Sequence, residues 1–104
     1  MTVRTALVVV PTYNELANLP LLAAGLMEHP NLQLLVVDDQ SPDGTGNLAD
    51  QLASEHAGRI RVLHRTGRRG LGRSYVDGLK EALREPVDVV CQMDADLSHD
   101  PVQL

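Results

Sequence analysis

Tryptophan and phenylalanine are absent from this chain of 104 residues, and Tyr13 and Tyr75 are its only tyrosines. A core must therefore be assembled from leucine, valine and alanine, and the aromatic platforms on which single-stranded nucleic acids stack are missing. The single cysteine, Cys91, excludes an internal disulfide and fits a reducing compartment, with packing as its expected role. No apolar run approaches the roughly 18 residues needed to cross a bilayer, and the first residues lack the charged, apolar and small-residue succession of a signal peptide. The residues present are thus expected to be soluble or peripheral at a membrane. Excess positive charge is lacking too, and a net charge of −5 argues against general nucleic-acid binding, which rests on neutralising phosphates.

With 43% apolar and 22% charged residues, the composition excludes a disordered chain, and the length suits one domain around one core. Charge is unevenly spread. Arg59, Arg61, Arg65, Arg68, Arg69 and Arg73 account for six of the nine basic residues, whereas acids gather near Asp38 to Asp43 and Asp94 to Asp100. Such a division suits an anionic ligand bound together with a metal ion.

Four apolar runs, Thr5 to Val10, Leu32 to Val37, Ile60 to Leu63 and Val87 to Met93, read as strands. Their continuity, in place of alternation, predicts strands covered on both faces, as in parallel sheets. Between them Leu16, Leu19, Leu22, Ala23 and Leu26 keep helical spacing, as do Leu48, Leu52 and Ala53, and then Leu71, Tyr75, Leu79 and Leu83. This order predicts right-handed βαβ crossovers and an α/β fold with helices on both faces of the sheet. Ligands in such folds bind at the carboxyl ends of the strands. An acid at Asp100 followed by Pro101 would open a further helix, so the chain is expected to stop short of a complete domain.

The residues following three of the runs carry the chemistry. Pro11 to Glu15 places a ring and a carboxylate at the tip of the first strand, although Thr12 or Asn14 could equally cap the next helix. Asp38, Asp39 and Asp43 put three carboxylates within six residues after the second strand, and these need a metal, hydrogen-bond donors or solvent to stay ionised together. Pro42, Asp43 and Gly44 are also good turn formers, and Thr45 can cap a helix, so a solvated acidic turn is the alternative reading. After the fourth strand, Asp94 and Asp96 fall on one side of an extended segment, a partial oxygen shell for Mg²⁺ or Mn²⁺.

Taken together, PTYNE at 11 to 15, VVDDQSPDGT at 36 to 45, RGLGRSY at 69 to 75 and MDADLSHDP at 93 to 101 resemble, in order, the successive motifs of family 2 glycosyltransferases. The Ser-Pro-Asp-Gly-Thr run and the Gly-Leu-Gly followed by Tyr are similar to those of the polyprenol-phosphate (dolichol-phosphate) mannosyltransferases. The resemblance implies a GT-A type nucleotide-diphospho-sugar transferase fold, Rossmann-like and mostly parallel. Residues 1 to 104 would form the nucleotide-sugar-binding part of one glycosyltransferase domain, ending after the fourth strand, with the acceptor-binding half beyond the last residue. Pro11, Tyr13, Glu15, Val37 and Asp39 would line the nucleotide pocket, with Asp39 and Glu15 reading base and ribose. Asp94, Ala95 and Asp96 would meet the diphosphate, with Asp96 and Asp94 as the catalytic carboxylates and metal ligands. Relatives often carry Gln where this chain has Ser98, and others carry Ser, so Ser98 is the weaker of the implied metal ligands.

The implied reaction is an inverting, metal-dependent transfer of mannose from GDP-mannose to a polyprenol phosphate. It would take place at the cytoplasmic face of a membrane, with peripheral association or a membrane-anchored partner in the full-length protein. The alternatives are another family 2 enzyme, passing a UDP-sugar to undecaprenyl phosphate or a polysaccharide, and a nucleotide-binding fragment without catalysis. Two lookalikes are set aside. Gly67 to Ser74 nearly spells a P-loop, but Arg73 replaces the lysine and the loop follows the third strand. A receiver domain would carry its acidic pair after the first strand. His29, His56, His64 and His99 show no ligand spacing, and only His99, beside the acidic motif, invites a test.

Overall fold

In the computed structural model, which describes residues 4–95, strands and helices alternate as β1 (Ala6–Thr12), α1 (Leu19–Met27), β2 (Leu32–Asp38), α2 (Thr45–Glu55), β3 (Ile60–His64), α3 (Leu71–Ala82) and β4 (Val89–Gln92). All pairings are parallel, in the order β3-β2-β1-β4. The two central strands are almost wholly buried, while the edge strands β3 and β4 are partly exposed, so the expectation of cover on both faces holds for β1 and β2 alone.

The alternation of the pleat divides the core. Val8, Val10, Leu34, Val36 and Ile60 pack on Leu19, Leu22, Ala23 and Leu26 of α1 and Ala49 of α2. From the other face, Leu7, Val9, Leu35 and Val37 meet Ala82 of α3. Leucine, valine and alanine dominate both layers, as the shortage of aromatic residues requires.

Three boundaries differ from the sequence reading for local reasons. Pro11 does not end β1, which runs on to Thr12. The Val9 carbonyl accepts from Met93 and the Thr12 carbonyl from Asp39, so alternate residues point to opposite neighbours, and the Pro11 nitrogen faces the β4 side beyond the Val9–Gln92 pair where that pairing ends. Leu16, expected in the first helix, is exposed in a turn that precedes it, and Pro20 stands in the first helical turn, where its missing N–H costs nothing. Neither Thr12 nor Asn14 caps α1, and Gly44, not Thr45, is the N-cap of α2, in the left-handed conformation at φ 96°.

The third helix is turned from its expected face. Leu71 and Leu83, read as core positions, are 63% and 77% exposed, whereas Ser74, Gly78 and Ala82 are buried. Small residues four apart let the helix backbone lie close against the sheet. A Cβ at Gly78 would stand 2.6 Å from Val9 Cγ1 and 2.9 Å from Val37 Cγ2, inside any tolerable contact and against stiff β-branched side chains.

Gly78→Ala is therefore expected to lose about 1–2 kcal/mol, overpacking outweighing the roughly 1 kcal/mol that alanine gains over glycine within a helix. Gly72→Ala, whose Cβ would meet nothing within 4 Å, should leave stability unchanged or raised. Urea unfolding of the two variants checks this; equal midpoints would show that the close approach of α3 to the sheet does not matter.

Candidate functional site

Chain order and strand order part company at β1: β2 and β3 build outward on one side, and β4 returns to the other. The loops leaving β1 and β4 must therefore diverge, and a crevice opens between them at the carboxyl edge of the sheet. A pocket of about 530 Å³ occupies that position. Pro11 and Thr12 contribute from the end of β1 and Tyr13 from just beyond it, Asp94 and Ala95 from just after β4, Asp39 from just after β2, and Arg69, Gly70 and Ser74 from the approach to α3 and its first turn, with Glu15 at the side.

Each carboxylate around this edge is held by donors. Thr12 Oγ1 donates to Asp38 Oδ1 at 2.7 Å, and Ser41 donates to the same carboxylate from its hydroxyl at 2.7 Å and its N–H at 3.2 Å. Asp43 accepts from the Thr45 hydroxyl and from the N–H groups of Thr45 and Leu16. The Asn14 N–H donates to Ser41 Oγ and the Glu15 N–H to Thr45 Oγ1, both at 3.0 Å, which stitches the β1 loop to the β2 loop. Asn14 and Gln40 hold positive φ values of 55° and 63°. A glutamine in that region is uncommon, and such strain gathers where loop geometry is functional. The acidic turn thus proves to be an internally bonded scaffold, with Asp38 and Asp43 serving structure.

Asp39 differs from these neighbours because it is both buried and in the pocket wall. Its Oδ1 receives Arg65 Nη1 at 2.6 Å and its Oδ2 the Gly70 N–H at 2.9 Å. Burial by itself would raise its pKa, but the Gly70 N–H, the Arg65 charge and the Arg65 hydrogen bond together hold it below the ordinary carboxylate value. On the far wall Tyr75 donates to Asp94 Oδ1 at 2.7 Å, which fixes that carboxylate at the tip of β4. Arg69 Nη1 donates to the Tyr13 hydroxyl at 2.5 Å, with the guanidinium 4.9 Å from the ring centroid, so a cation and an aromatic ring stand together at the mouth.

Of the residues singled out in the sequence, Pro11, Tyr13, Glu15, Asp39, Asp94 and Ala95 converge on one pocket. Val37 does not line it: its side chain is fully buried beneath Gly78 of α3. Asp96, Ser98 and His99 lie outside the described residues. The basic stretch does not form one anion-binding surface. Arg59 donates to the carbonyls of Met27, His29 and Leu32 where α1 turns into β2, Arg61 pairs with Glu85, and Arg65 is buried, leaving Arg69 as the one member of that stretch lining the pocket among the described residues. Sequence reasoning missed Arg65 and Tyr75 as supports of the site, since a buried guanidinium and a tethered phenol leave no spacing signature.

The Asp39 carboxyl has a lower pKa folded than unfolded, so near that range the unfolded chain binds more protons and stability rises with pH. Its contribution is complete above the unfolded value of about 3.9 and lost as pH falls through the folded one. Urea midpoints measured from pH 7 to pH 2 should show Asp39→Asn less stable than the unsubstituted chain at neutrality, with the gap closing below about pH 4. A gap constant across that window would contradict the charged role of Asp39.

Similar geometry occurs in known proteins. A mannosyltransferase from Pyrobaculum calidifontis, solved in complex with GDP-Man and Mn²⁺, superposes with a TM-score of 0.72 at 30% identity over 89% of this chain and 28% of that one. The crystal structure of S. aureus TarS 1-349 shares the fold, with a TM-score of 0.66 at 22% identity over 88% of this chain and 27% of that one. In sequence, a polyprenol monophosphomannose synthase of Mycolicibacterium smegmatis is 51% identical over 94% of this chain and 37% of its own length. An undecaprenyl-phosphate mannosyltransferase of Micrococcus luteus is 48% identical over 94% of this chain and 40% of its own. A dolichol-phosphate mannosyltransferase of Pyrococcus furiosus is 40% identical over 90% and 26%. The chain thus spans well under half the length of these curated relatives. The sheet with its crevice is the GT-A arrangement, and because the family model for glycosyl transferase family 2 matches residues 7–104, nearly the whole sequence, the chain belongs to that family.

Proposed function

We propose that this chain provides the donor site of a mannosyltransferase that moves mannose from GDP-mannose to the phosphate of a polyprenol. The observation that carries the reading is the convergence of Tyr13, Glu15, Asp39, Arg69, Asp94 and Ala95 on one crevice at the strand-order reversal. Three relatives named for mannose transfer or synthesis on a polyprenol-type carrier support the acceptor class, and a solved neighbour holding GDP-Man and Mn²⁺ supports the donor.

Asp39 is an acceptor-only carboxylate in the inner wall and suits the N–H donors of a base, while Glu15 at the side suits ribose hydroxyls. Arg69 brings positive charge to the mouth, where a diphosphate would lie once the guanidinium leaves Tyr13. No group of three or more potential His, Cys, Asp or Glu ligands occurs among the described residues. A carboxylate at the pocket wall, Asp94, fits Mg²⁺ or Mn²⁺, which commonly take one or two carboxylates and complete their shell with water and substrate phosphates. Asp94, already oriented by Tyr75, would hold the ion together with Asp96, with Ser98 as a further candidate. When bound, the ion supplies neutralisation of the negative charge that develops on the departing diphosphate.

A phosphomonoester is largely dianionic at pH 7, so the acceptor is already a nucleophile and the chain need not provide a strong base. An acceptor phosphate oxygen forms the new bond to the anomeric carbon as the bond to GDP breaks, with inversion. The task of the site is to hold two anions in line. A lipid acceptor places the reaction at a membrane surface, reached by peripheral association or through an anchored partner. Among the described residues no helix is long and apolar enough to cross a membrane. The cytoplasmic face is the side we assign.

Isothermal titration with GDP should show binding in Mn²⁺ that collapses in EDTA, and UDP should bind more weakly. Asp94→Asn and Asp96→Asn should each weaken GDP binding in Mn²⁺ by more than about tenfold, the lower bound for losing even an outer partner of a metal site. Equal GDP affinity in EDTA and Mn²⁺ would remove the metal from the proposal, and a preference for UDP would remove GDP-mannose.

A further inference from the structure

Arg65 is 8% exposed, and its guanidinium has three partners drawn from separate stretches of chain. Nη1 donates to Asp39 Oδ1 at 2.6 Å, Nε to Asp77 Oδ2 at 2.8 Å, and Nη2 to the Arg68 carbonyl at 3.1 Å. Asp39 lies at the end of β2, Asp77 lies on α3, and Arg68 lies in the loop between β3 and α3. Against an apolar pair of similar size a buried ion pair adds little stability, since desolvating both charges offsets most of their attraction, although removing one partner strands the other at a cost. What a planar guanidinium fork provides is geometry: it fixes the plane and direction of the carboxylate that it grips.

Arg65 and the Gly70 N–H take one oxygen each of Asp39. About two of the roughly four lone-pair sites of the carboxylate then remain for the pocket, in a set direction. Asp77 is the outer anchor, with its side chain 43% exposed. Without it the Nε donor would lose its charged partner, and the guanidinium would be free to turn away from Asp39.

We propose that Arg65, braced by Asp77, is a positioning residue for nucleotide recognition: it acts through Asp39 and ties the base-reading carboxylate to α3. The inference rests on the nucleotide-binding reading above. It concerns the base side of the site, opposite Asp94, so it makes a claim that general loosening of the fold would not satisfy.

The test is a double-substitution cycle read by titration with GDP and with inorganic pyrophosphate, both in Mn²⁺. Asp77→Ala sits at a partly exposed helical position that favours alanine, so the fold should be retained. It is expected to weaken GDP binding by about tenfold, the scale of one lost hydrogen bond to a charged group, and to leave pyrophosphate binding within about twofold. In an Asp39→Ala background the same substitution should have almost no further effect on GDP, because the residue through which it acts is gone. Arg65→Lys should behave as Asp77→Ala does, with a larger loss. Equal losses for GDP and pyrophosphate, or an undiminished effect of Asp77→Ala in the Asp39→Ala background, would overturn the assignment and leave Arg65 a structural residue. Failure of the unsubstituted chain to bind GDP would instead overturn the nucleotide reading itself, and this assignment with it.

Discussion

The parallel pairing of β1 with β2 on one side and β4 on the other is the constraint on which everything else rests. Parallel strands deliver all their carboxyl ends to one edge, so residues 27 to 82 positions apart, Thr12, Asp39 and Asp94, meet across a single crevice. Because the order reverses at β1, the chain leaves that edge in opposite directions and does not fill the gap. Close packing then sets the depth of the crevice. Gly78 lets α3 settle on Val9 and Val37, and the same helix carries Ser74 into the pocket wall, Tyr75 to Asp94 and Asp77 to Arg65. One helix thus connects the sheet core to both carboxylate walls.

Gathering acids at one edge brings an electrostatic cost that the chain meets locally. Each carboxylate has its own donors: hydroxyls and an N–H for Asp38, a hydroxyl and two N–H groups for Asp43, a guanidinium and an N–H for Asp39, and a phenol for Asp94. The donors divide the acids by role. Asp38 and Asp43 are spent on joining two loops, while Asp39 and Asp94 keep a face in the pocket. For Asp43, the Thr45 hydroxyl chiefly, with the N–H groups of Thr45 and Leu16, outweighs desolvation and keeps the carboxyl below its usual range. Positive charge comes to the same crevice from Arg69 at its mouth.

Aliphatic strands were the most legible part of the sequence, since the continuous apolar runs at Val8 to Val10 and Leu34 to Val37 point to a doubly covered sheet, and both are buried. The order of motifs was legible for the same reason, because each follows a strand whose end the pleat locates. The face of α3 was not. Its core stripe is Ser74, Gly78 and Ala82, small residues with little or no hydrophobic signal, while the leucines with a strong one, Leu71 and Leu83, are exposed. Arg65 was hidden differently. In sequence it is one arginine among six, and only the close approach of β2, β3 and α3 separates the buried member from Arg59, which holds the carbonyls where α1 turns into β2, and from Arg69 at the pocket mouth. Val37 belongs to a motif by position, yet its side chain serves the core.

Amide spectra of the chain titrated with GDP in Mg²⁺, and then with Mn²⁺ in its place, would locate both the nucleotide and the ion on the sheet edge. Shift changes are expected at Tyr13, Glu15, Asp39 and Gly70 on adding GDP, and paramagnetic broadening centred on Asp94 and Ala95 once Mn²⁺ is present. Changes gathered instead at a second groove, lined by His64, Asp77, Lys80 and Arg84, with the amides of Asp39 and Asp94 undisturbed, would overturn the donor-site reading.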